Sequence, residues 1–361
     1  MQMTFRWYGE GNDTITLKQI RQIPGVKGIV WALHDMPAGE VWPVERIAEV
    51  VNQAKEYGLN TDVVESVNIH EDIKLGLDSR QQYIEAYKET LKNLSQFGVK
   101  VVCYNFMPVF DWLRTDLFKE TEDGSTALYF DAQKVLSLTP EQVVKNMEEN
   151  TKDLTLPGWE PERLKDLKRL FTLYKDVSEV DLLDNLVYFL EEITPVAEQC
   201  GIKMAIHPDD PPFSIFGLPR IVKNKEDIQR ILSSVDSPAN GLTFCSGSLG
   251  ANPSNDLVDI VKTFTNRIPF AHIRNVKHFE DGSFIETSHR VEDGSVPITE
   301  IVNGLYENGF DGYIRPDHGR HIWDEVCRPG YGLYDRALGV MYLLGAWDTN
   351  KILTKEVLQK L

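Results

Sequence analysis

The sequence has few cysteines, no long apolar run and no surplus of basic residues. Four cysteines in 361 residues are too few for a disulfide framework. No run of about 18 apolar residues occurs, so we expect no membrane span. The N-terminus has no basic start leading into an apolar stretch, so we expect no signal peptide. Together these absences predict a protein of the reducing cytoplasm.

The charge balance excludes one large class of partner. The chain has 38 lysines and arginines against 55 aspartates and glutamates, a formal net charge of −17. A protein that grips the phosphate backbone of nucleic acid needs a basic face, so we expect no nucleic-acid partner. An anionic small substrate is compatible with this charge, because a metal ion and a few arginines can reverse the field locally.

The sequence also lacks the glycine-rich motifs that cradle phosphates. Neither G-x-G-x-x-G nor G-x-x-x-x-G-K-[ST] occurs, which weakens the case for an open doubly wound sheet. There is no low-complexity tract, internal repeat or Gly/Ser linker. We therefore predict one domain over residues 1–361.

Eight short apolar runs are present, nearly all separated by amphipathic helical stretches. Alternating strands and helices imply a parallel sheet with right-handed crossovers, and eight such units favour a closed (β/α)8 TIM barrel. Between about residues 111 and 180 this rhythm is lost, and we predict a mostly helical insertion after strand four. The predicted strands are Thr4–Tyr8, Gly28–Leu33, Leu59–Val67, Val99–Phe106, Lys203–His207, Gly241–Cys245, Phe270–Asn275 and Gly312–Asp317.

Four successive predicted strands end in residues that bind metals. The active site of such a barrel lies at the carboxyl ends of its strands. At or near the carboxyl ends of strands five to eight lie His207, Cys245, His272 and Asp317. Imidazole, thiolate and carboxylate suit a divalent transition metal. A single strand histidine or cysteine is usually an ordinary core residue, but four at one level of a barrel predict a metal site.

Other polar side chains are expected around this site. His318 follows the last ligand and should face the pocket rim, and Tyr331 lies in a loop between two glycines that can return over the barrel mouth. Arg274 shares the inward face with His272 and is the best candidate to hold a carboxylate. Further candidates for substrate binding are Arg6, Trp7, Asn275 and Arg320.

These residues resemble the D-mannonate dehydratase family along essentially the whole chain. The most specific features are the paired Asp and Pro after the strand histidine and the cysteine followed by Ser-Gly-Ser. The matching segments are Phe5–Gly9, His207–Pro212, Phe244–Ser248, His272–Asn275, Pro316–Arg320 and Gly330–Gly332.

The resemblance implies a xylose-isomerase-like barrel that dehydrates D-mannonate to 2-keto-3-deoxy-D-gluconate in hexuronate (glucuronate) catabolism. It implies Mn²⁺ or Fe²⁺ as the metal, held by the four strand-end residues named above. It also implies that His318 and Tyr331 are the catalytic pair. We favour His318 as the base, because imidazole titrates near neutral pH, and Tyr331 as the acid; the reverse assignment stays open.

Two other classes of function fit the same barrel. A metal-dependent sugar isomerase or epimerase would polarise a carbonyl–hydroxyl pair, although such sites are usually dominated by carboxylates. A non-catalytic barrel could bind a sugar acid, with a metal that serves only structure, because four protein ligands resemble a closed structural site. For any of these functions we expect a homo-oligomer, most simply a dimer, with the insertion as a contact surface.

Overall fold

The computed structural model describes residues 1–137, 139, 142, 145 and 167–360. Eight parallel strands close into a barrel, in which each strand pairs with the next barrel strand along the chain and the last pairs with the first. These strands are Gln2–Arg6 (β1), Gly28–Trp31 (β2), Asn60–Glu65 (β3), Val101–Tyr104 (β4), Lys203–Ile206 (β7), Asn240–Cys245 (β8), Phe270–Ile273 (β9) and Tyr313–Pro316 (β12).

The barrel confirms the predicted fold. Each predicted strand appears in its predicted order. Six of the eight are shorter than predicted by one to four residues, whereas β1 lies two residues earlier and β8 begins one residue earlier. The strand interiors are buried on both faces, as expected of a parallel sheet covered by helices. None of the helices described is both long and apolar enough to cross a membrane.

Helices surround the barrel, and their ends follow local capping chemistry. Helix Glu179–Cys200, which precedes the fifth barrel strand, is capped at its start by Ser178, whose hydroxyl accepts a hydrogen bond from the Asp181 amide. It is followed by Gly201, whose φ of 65° ends the helix. The described helices are Leu17–Gln22, Val44–Glu56, Glu71–Lys74, Arg80–Ser95, Ala132–Ser137, Leu167–Tyr174, Glu179–Cys200, Lys225–Ser234, Ser246–Gly250, Leu257–Phe264, Ile298–Glu307 and Tyr334–Lys360.

A second, four-stranded antiparallel sheet was not predicted. Its strands are Asp116–Glu120 (β5), Thr126–Phe130 (β6), Asn275–His278 (β10) and Phe284–Thr287 (β11), in the order β10, β11, β6, β5. The prediction of a mostly helical insertion is therefore wrong for residues 116–130. Charged residues in this segment obscure the alternation of apolar and polar residues that would predict strands. Leu128 and Phe130 are nevertheless buried, and the ring centroids of the stacked Phe130 and Phe284 are 5.1 Å apart.

Parts of the predicted insertion are helical, and parts lie outside the described residues. Except for residues 142 and 145, the predicted helix near Glu141–Lys152 lies outside the described residues. Of the predicted helix Pro161–Tyr174, the described portion Leu167–Tyr174 is helical.

The small sheet is joined directly to the barrel. Barrel strand β9 ends at Ile273, and β10 begins at Asn275, so only Arg274 separates the two sheets. On the next strand of the small sheet, Glu286 pairs with Val276. This connection carries residues of β11 to the carboxyl end of the barrel, where the predicted site lies.

Candidate active site

Three of the four predicted metal ligands meet at the barrel mouth. Ligand atoms of His207, Cys245 and His272 all lie within 4.8 Å of one another. Strand register explains part of this, since Cys245 on β8 is paired with His272 on β9. Asp317 lies beside them, with Oδ2 3.5 Å from the Cys245 sulfur and Oδ1 3.9 Å from Nδ1 of His272.

The segment after Cys245 is built around its sulfur. The backbone amide and hydroxyl of Ser248 approach Sγ at 3.4 Å and 3.0 Å, so both can donate to a thiolate. A Cβ at Gly247 would lie 2.5 Å from Cγ of Arg274, so this position admits only glycine without displacing that arginine. The Ser-Gly-Ser sequence therefore serves both the thiolate and the close approach of Arg274.

Charges around Cys245 favour its ionised form. Burial and Asp317 both oppose ionisation, but Arg274 and His207 outweigh them and lower the pKa of Cys245 to about 5. The pKa of His207 is raised to about 9, because Cys245, Asp317 and Glu65 together outweigh burial. Both shifts favour a thiolate beside an imidazolium. A metal ion would displace the imidazole proton and take the thiolate as a ligand.

The donor set fits a divalent transition metal. Nδ1 of His207 lies 2.7 Å from the Pro208 carbonyl, and donation to that carbonyl leaves Nε2 as the free ligand atom. His272 is fully buried, and its Nε2 makes no hydrogen bond of good geometry among the described residues, with Oε2 of Glu65 3.3 Å away. Such a buried imidazole nitrogen, beside a thiolate and a carboxylate, matches the ligand chemistry of these metals.

A second group of possible ligands shares His272. Glu65, Cys103 and His272 also place ligand atoms within 4.8 Å of one another. Glu65, however, receives hydrogen bonds from Nε and Nη2 of Arg315 at 3.1 Å and 2.8 Å. Arg315 and His272 outweigh burial and hold the pKa of Glu65 well below its usual range. Asp317 is ion-paired as well, to Arg274 at 2.7 Å and to Arg315 at 2.8 Å, so arginine contacts do not separate the two groups. Their cysteines do: burial and Glu65 raise the pKa of Cys103 well above its usual value, which disfavours the thiolate that binds a metal, whereas the pKa of Cys245 is lowered.

The predicted catalytic residues form a hydrogen-bonded chain with an unpredicted carboxylate. Nε2 of His318 is 3.0 Å from the Tyr331 hydroxyl, and Nδ1 is 2.9 Å from both carboxylate oxygens of Glu286. All three side chains are buried. Burial is the main reason that the pKa of Tyr331 is raised well above its ordinary value, so this phenol keeps its proton.

Arg274 does not present a free guanidinium to a substrate. Its three nitrogens donate to Asp317 at 2.7 Å, Glu286 at 2.6 Å and Asp210 at 2.7 Å. Arg114 donates to Asp210 and Glu286 as well, each at 2.8 Å. The geometry therefore favours Arg274 as an organiser of the site's carboxylates over its predicted role as the substrate clamp.

The other four predicted substrate-binding residues have different surroundings. Trp7 donates to the Ile15 carbonyl, and Asn275 donates to the Arg290 carbonyl and accepts from the Val296 amide. Arg320 binds Asp335 and Asp123 away from the ligand group. Only Arg6 both lines the site cavity and keeps two nitrogens, Nε and Nη1, without a hydrogen-bond partner among the described residues.

Sequence reasoning missed the charged residues that surround the predicted ones. Glu65 could have been found, because it is the last residue of its barrel strand. His272, which was predicted, is the second-last residue of its own strand. Arg315 shares a strand face with Asp317 two residues later. Asp210 belongs to the paired Asp and Pro that follow His207, although this motif gave it no role. No comparable signal exists for Arg114 or Glu286, which reach the site only through the folding of the small sheet onto the barrel. The cavity is lined by residues that include Arg6, Glu65, His207, Asp210, Arg315, Asp317, His318 and Tyr331.

Comparisons with known proteins agree with this geometry. The family model of D-mannonate dehydratase matches residues 1–356. Mannonate dehydratase 1 of Halalkalibacterium halodurans is 62% identical over 349 residues, which cover 97% of this chain and 96% of that protein.

Solved structures give the same result for the fold. The crystal structure of mannonate dehydratase from Streptococcus suis serotype 2 is 42% identical, with a TM-score of 0.89 over 98% of this chain and 96% of that one. A xylose isomerase domain protein from Planctomyces limnophilus, 11% identical with a TM-score of 0.56, covers 97% of this chain and 98% of its own, and shares the fold alone. The xylose-isomerase-like barrel and the resemblance predicted from the motifs are both confirmed: the chain belongs to the D-mannonate dehydratase family.

Proposed function

We propose that this protein dehydrates D-mannonate to 2-keto-3-deoxy-D-gluconate and water, a step of hexuronate (glucuronate) catabolism. Membership of the family supports the reaction. The observation that carries the assignment to this site is the placement of the ligand group beside the His318–Tyr331 pair, all at the carboxyl ends of the barrel strands. A hydro-lyase needs such a combination of charge stabilisation and paired proton transfer.

We propose Mn²⁺ or Fe²⁺ as the metal, held by His207, Cys245, His272 and Asp317. When bound, the ion supplies positive charge that favours removal of a proton next to the substrate carboxylate. The coordination shells of these ions are larger than four, which leaves room for substrate oxygens. A metal ion with a purely structural role would not need these additional coordination positions.

The proton chemistry is assigned to two side chains. Nε2 of His318 takes the proton from C2, while the Tyr331 hydroxyl gives its proton to the C3 oxygen as the C3–O bond breaks. Water leaves, and the C2–C3 enol that remains tautomerises to the 2-keto-3-deoxy acid. Because its pKa is raised, Tyr331 enters the reaction protonated, which suits the acid better than the base.

Substrate binding is assigned mainly to Arg6. Arg6 is 2% exposed and lines the cavity, and two of its guanidinium nitrogens make no hydrogen bond among the described residues. Its Nη1 lies 3.9 Å from Glu65, too far for a hydrogen bond. An anionic sugar acid would satisfy these nitrogens, and the arginines of the site compensate the acidic surface of the protein.

The test is an assay of purified protein with D-mannonate. We expect formation of a 2-keto-3-deoxy product, loss of activity after thorough chelation, and recovery when Mn²⁺ or Fe²⁺ is added. Aldose–ketose interconversion without such a product would show an isomerase instead. Full activity after chelation, verified by elemental analysis, would contradict the metal-dependent mechanism.

We also propose that the chain is one barrel domain over residues 1–361, that it is cytoplasmic and that it forms a dimer. The four cysteines are all unpaired, as a reducing compartment would leave them. Light scattering of the purified protein measures the dimer directly, and a monomeric mass at micromolar concentration would contradict it.

A further inference from the structure

We propose that Glu286 is a positioning residue that fixes the tautomer and orientation of His318. Glu286 lies on β11 of the small sheet, outside the barrel, and its carboxylate is 2% exposed. Both of its oxygens lie 2.9 Å from Nδ1 of His318. The proposal rests on the proposed function, since it concerns how His318 acts on the substrate.

An ionised carboxylate can only accept hydrogen bonds, so Nδ1 of His318 must donate to it. In the neutral imidazole, the other ring nitrogen, Nε2, then carries the lone pair, and it faces the Tyr331 hydroxyl at 3.0 Å. A base for the C2 proton needs this tautomer. Glu286 stays ionised, because Arg274, His318 and Arg114 outweigh burial and lower its pKa to about 2.

Both oxygens of Glu286 lie 2.9 Å from Nδ1 of His318, but only Oε1 is also bound by arginines. Oε1 accepts from Nε and Nη2 of Arg114 and from Nη1 of Arg274, at 3.2, 2.8 and 2.6 Å. Among the described residues, Oε2 meets only His318. The arginines therefore hold one edge of the carboxylate and aim the other edge at the imidazole.

This asymmetry predicts what an amide would do at the same position. In Glu286→Gln, the remaining oxygen must face the arginine donors, which cannot accept a hydrogen bond. The amide NH₂ is then forced to the place of Oε2, where it donates to Nδ1 of His318. The proton of the imidazole moves to Nε2, and the base loses its lone pair. A carboxylate-to-amide change of this kind behind a catalytic histidine lowers kcat about 10⁴-fold in serine proteases.

The network also connects the proton-transfer pair to the ligand group. Arg274 binds Glu286 through Nη1 and Asp317 through Nε. One side chain thus sets the positions of the carboxylate behind His318 and of the carboxylate beside Cys245. If Glu286 served only stability, its carboxylate would not need to face the imidazole of His318.

The experiment compares Glu286→Gln with Glu280→Gln, which removes the same charge from an exposed position on the same hairpin. With Mn²⁺ present, we expect kcat of Glu286→Gln to fall about 10³- to 10⁴-fold, with KM within threefold of wild type and unchanged metal content. Glu280→Gln should match wild type. A folded, metal-loaded Glu286→Gln with a kcat within tenfold of wild type would overturn the proposal.

A second pair of variants separates positioning from simple stability. Glu286→Asp keeps the charge but withdraws the carboxylate by about one C–C bond, roughly 1.5 Å. We expect it to fold, to bind metal and to turn over at least tenfold slower than wild type, and at least tenfold faster than the Gln variant if that variant folds. Wild-type turnover by Glu286→Asp, or equal rates for Asp and Gln, would overturn the proposal.

A double-mutant cycle completes the test. In a His318→Asn background, Glu286→Gln should cost less than a further twofold in kcat, because no imidazole remains to be oriented. The same loss in both backgrounds would mark Glu286 as merely structural and overturn the proposal. Dehydration by wild type and Glu280→Gln verifies the proposed function within the same experiment, so its failure would be recognised separately.

Discussion

Replacing Arg274 tests whether this arginine organises the protein or binds the substrate. In Arg274→Gln, Asp317, Glu286 and Asp210 each lose a buried hydrogen-bonded partner. Breaking a buried ion pair typically costs about 3–5 kcal/mol. Each carboxylate keeps another arginine, however: Arg315 for Asp317 at 2.8 Å, and Arg114 for the other two. We therefore expect a loss near the lower end, about 3 kcal/mol in the free energy of unfolding.

Urea denaturation, followed by two spectroscopic probes to check two-state behaviour, measures this loss. It should be carried out at a fixed Mn²⁺ concentration and again in chelator, because metal binding itself adds stability. The matched control is Arg290→Gln, whose side chain is 58% exposed and pairs with Glu292 and Asp293. An exposed pair of this kind is worth about 0–1 kcal/mol.

The two roles of Arg274 give opposite results. An organiser predicts lost stability and weaker metal retention in Arg274→Gln. A direct substrate clamp predicts wild-type stability with KM raised tenfold or more. If the free energy of unfolding stays within 1 kcal/mol of wild type while KM rises, the reasoning from the three carboxylate contacts is refuted.

Three further substitutions separate the remaining roles. Tyr331→Phe should lower kcat about 10²- to 10⁴-fold with metal content unchanged, and a wild-type rate would remove this phenol from the mechanism. Cys245→Ser should weaken Mn²⁺ retention by at least about tenfold while the far-UV circular dichroism stays native; normal metal by elemental analysis would count against the thiolate ligand. Arg6→Gln should raise KM for D-mannonate about 10- to 100-fold, the value of a charge-assisted hydrogen bond, and an unchanged KM would exclude Arg6 as the carboxylate site.

The barrel and the positions of the candidate metal ligands were predictable because their signals are local. Each barrel strand is a short apolar run with a turn after it, and the carboxyl ends of parallel strands meet at one face by the rules of the fold. This reasoning was enough to bring His207, Cys245, His272 and Asp317 together. It was also enough to place His318 one residue beyond the ligand level, where it now contacts Tyr331.

The small sheet was not predictable in the same way. Its strands come from residues 116–130 and 275–287, and the pairing of Phe284 with Phe130 depends on contacts across more than a hundred positions of the chain. The partner of an arginine is likewise a tertiary property. Arg274 was expected to bind substrate because its strand position is inward. In the structure it binds the carboxylates of Asp210 and of Glu286 on the small sheet, which are distant from it in sequence or brought close only by tertiary folding.

The central claim is that one metal ion binds between His207, Cys245, His272 and Asp317, beside the His318–Tyr331 pair. A crystal structure of the Mn²⁺-loaded protein with D-mannonate, with data that record the anomalous signal of manganese, tests it most directly. We predict an anomalous peak about 2.0–2.3 Å from the four ligand atoms, with substrate C2 facing His318. A peak between Glu65, Cys103 and His272 instead, or a substrate whose C2 lies away from His318, would contradict the account.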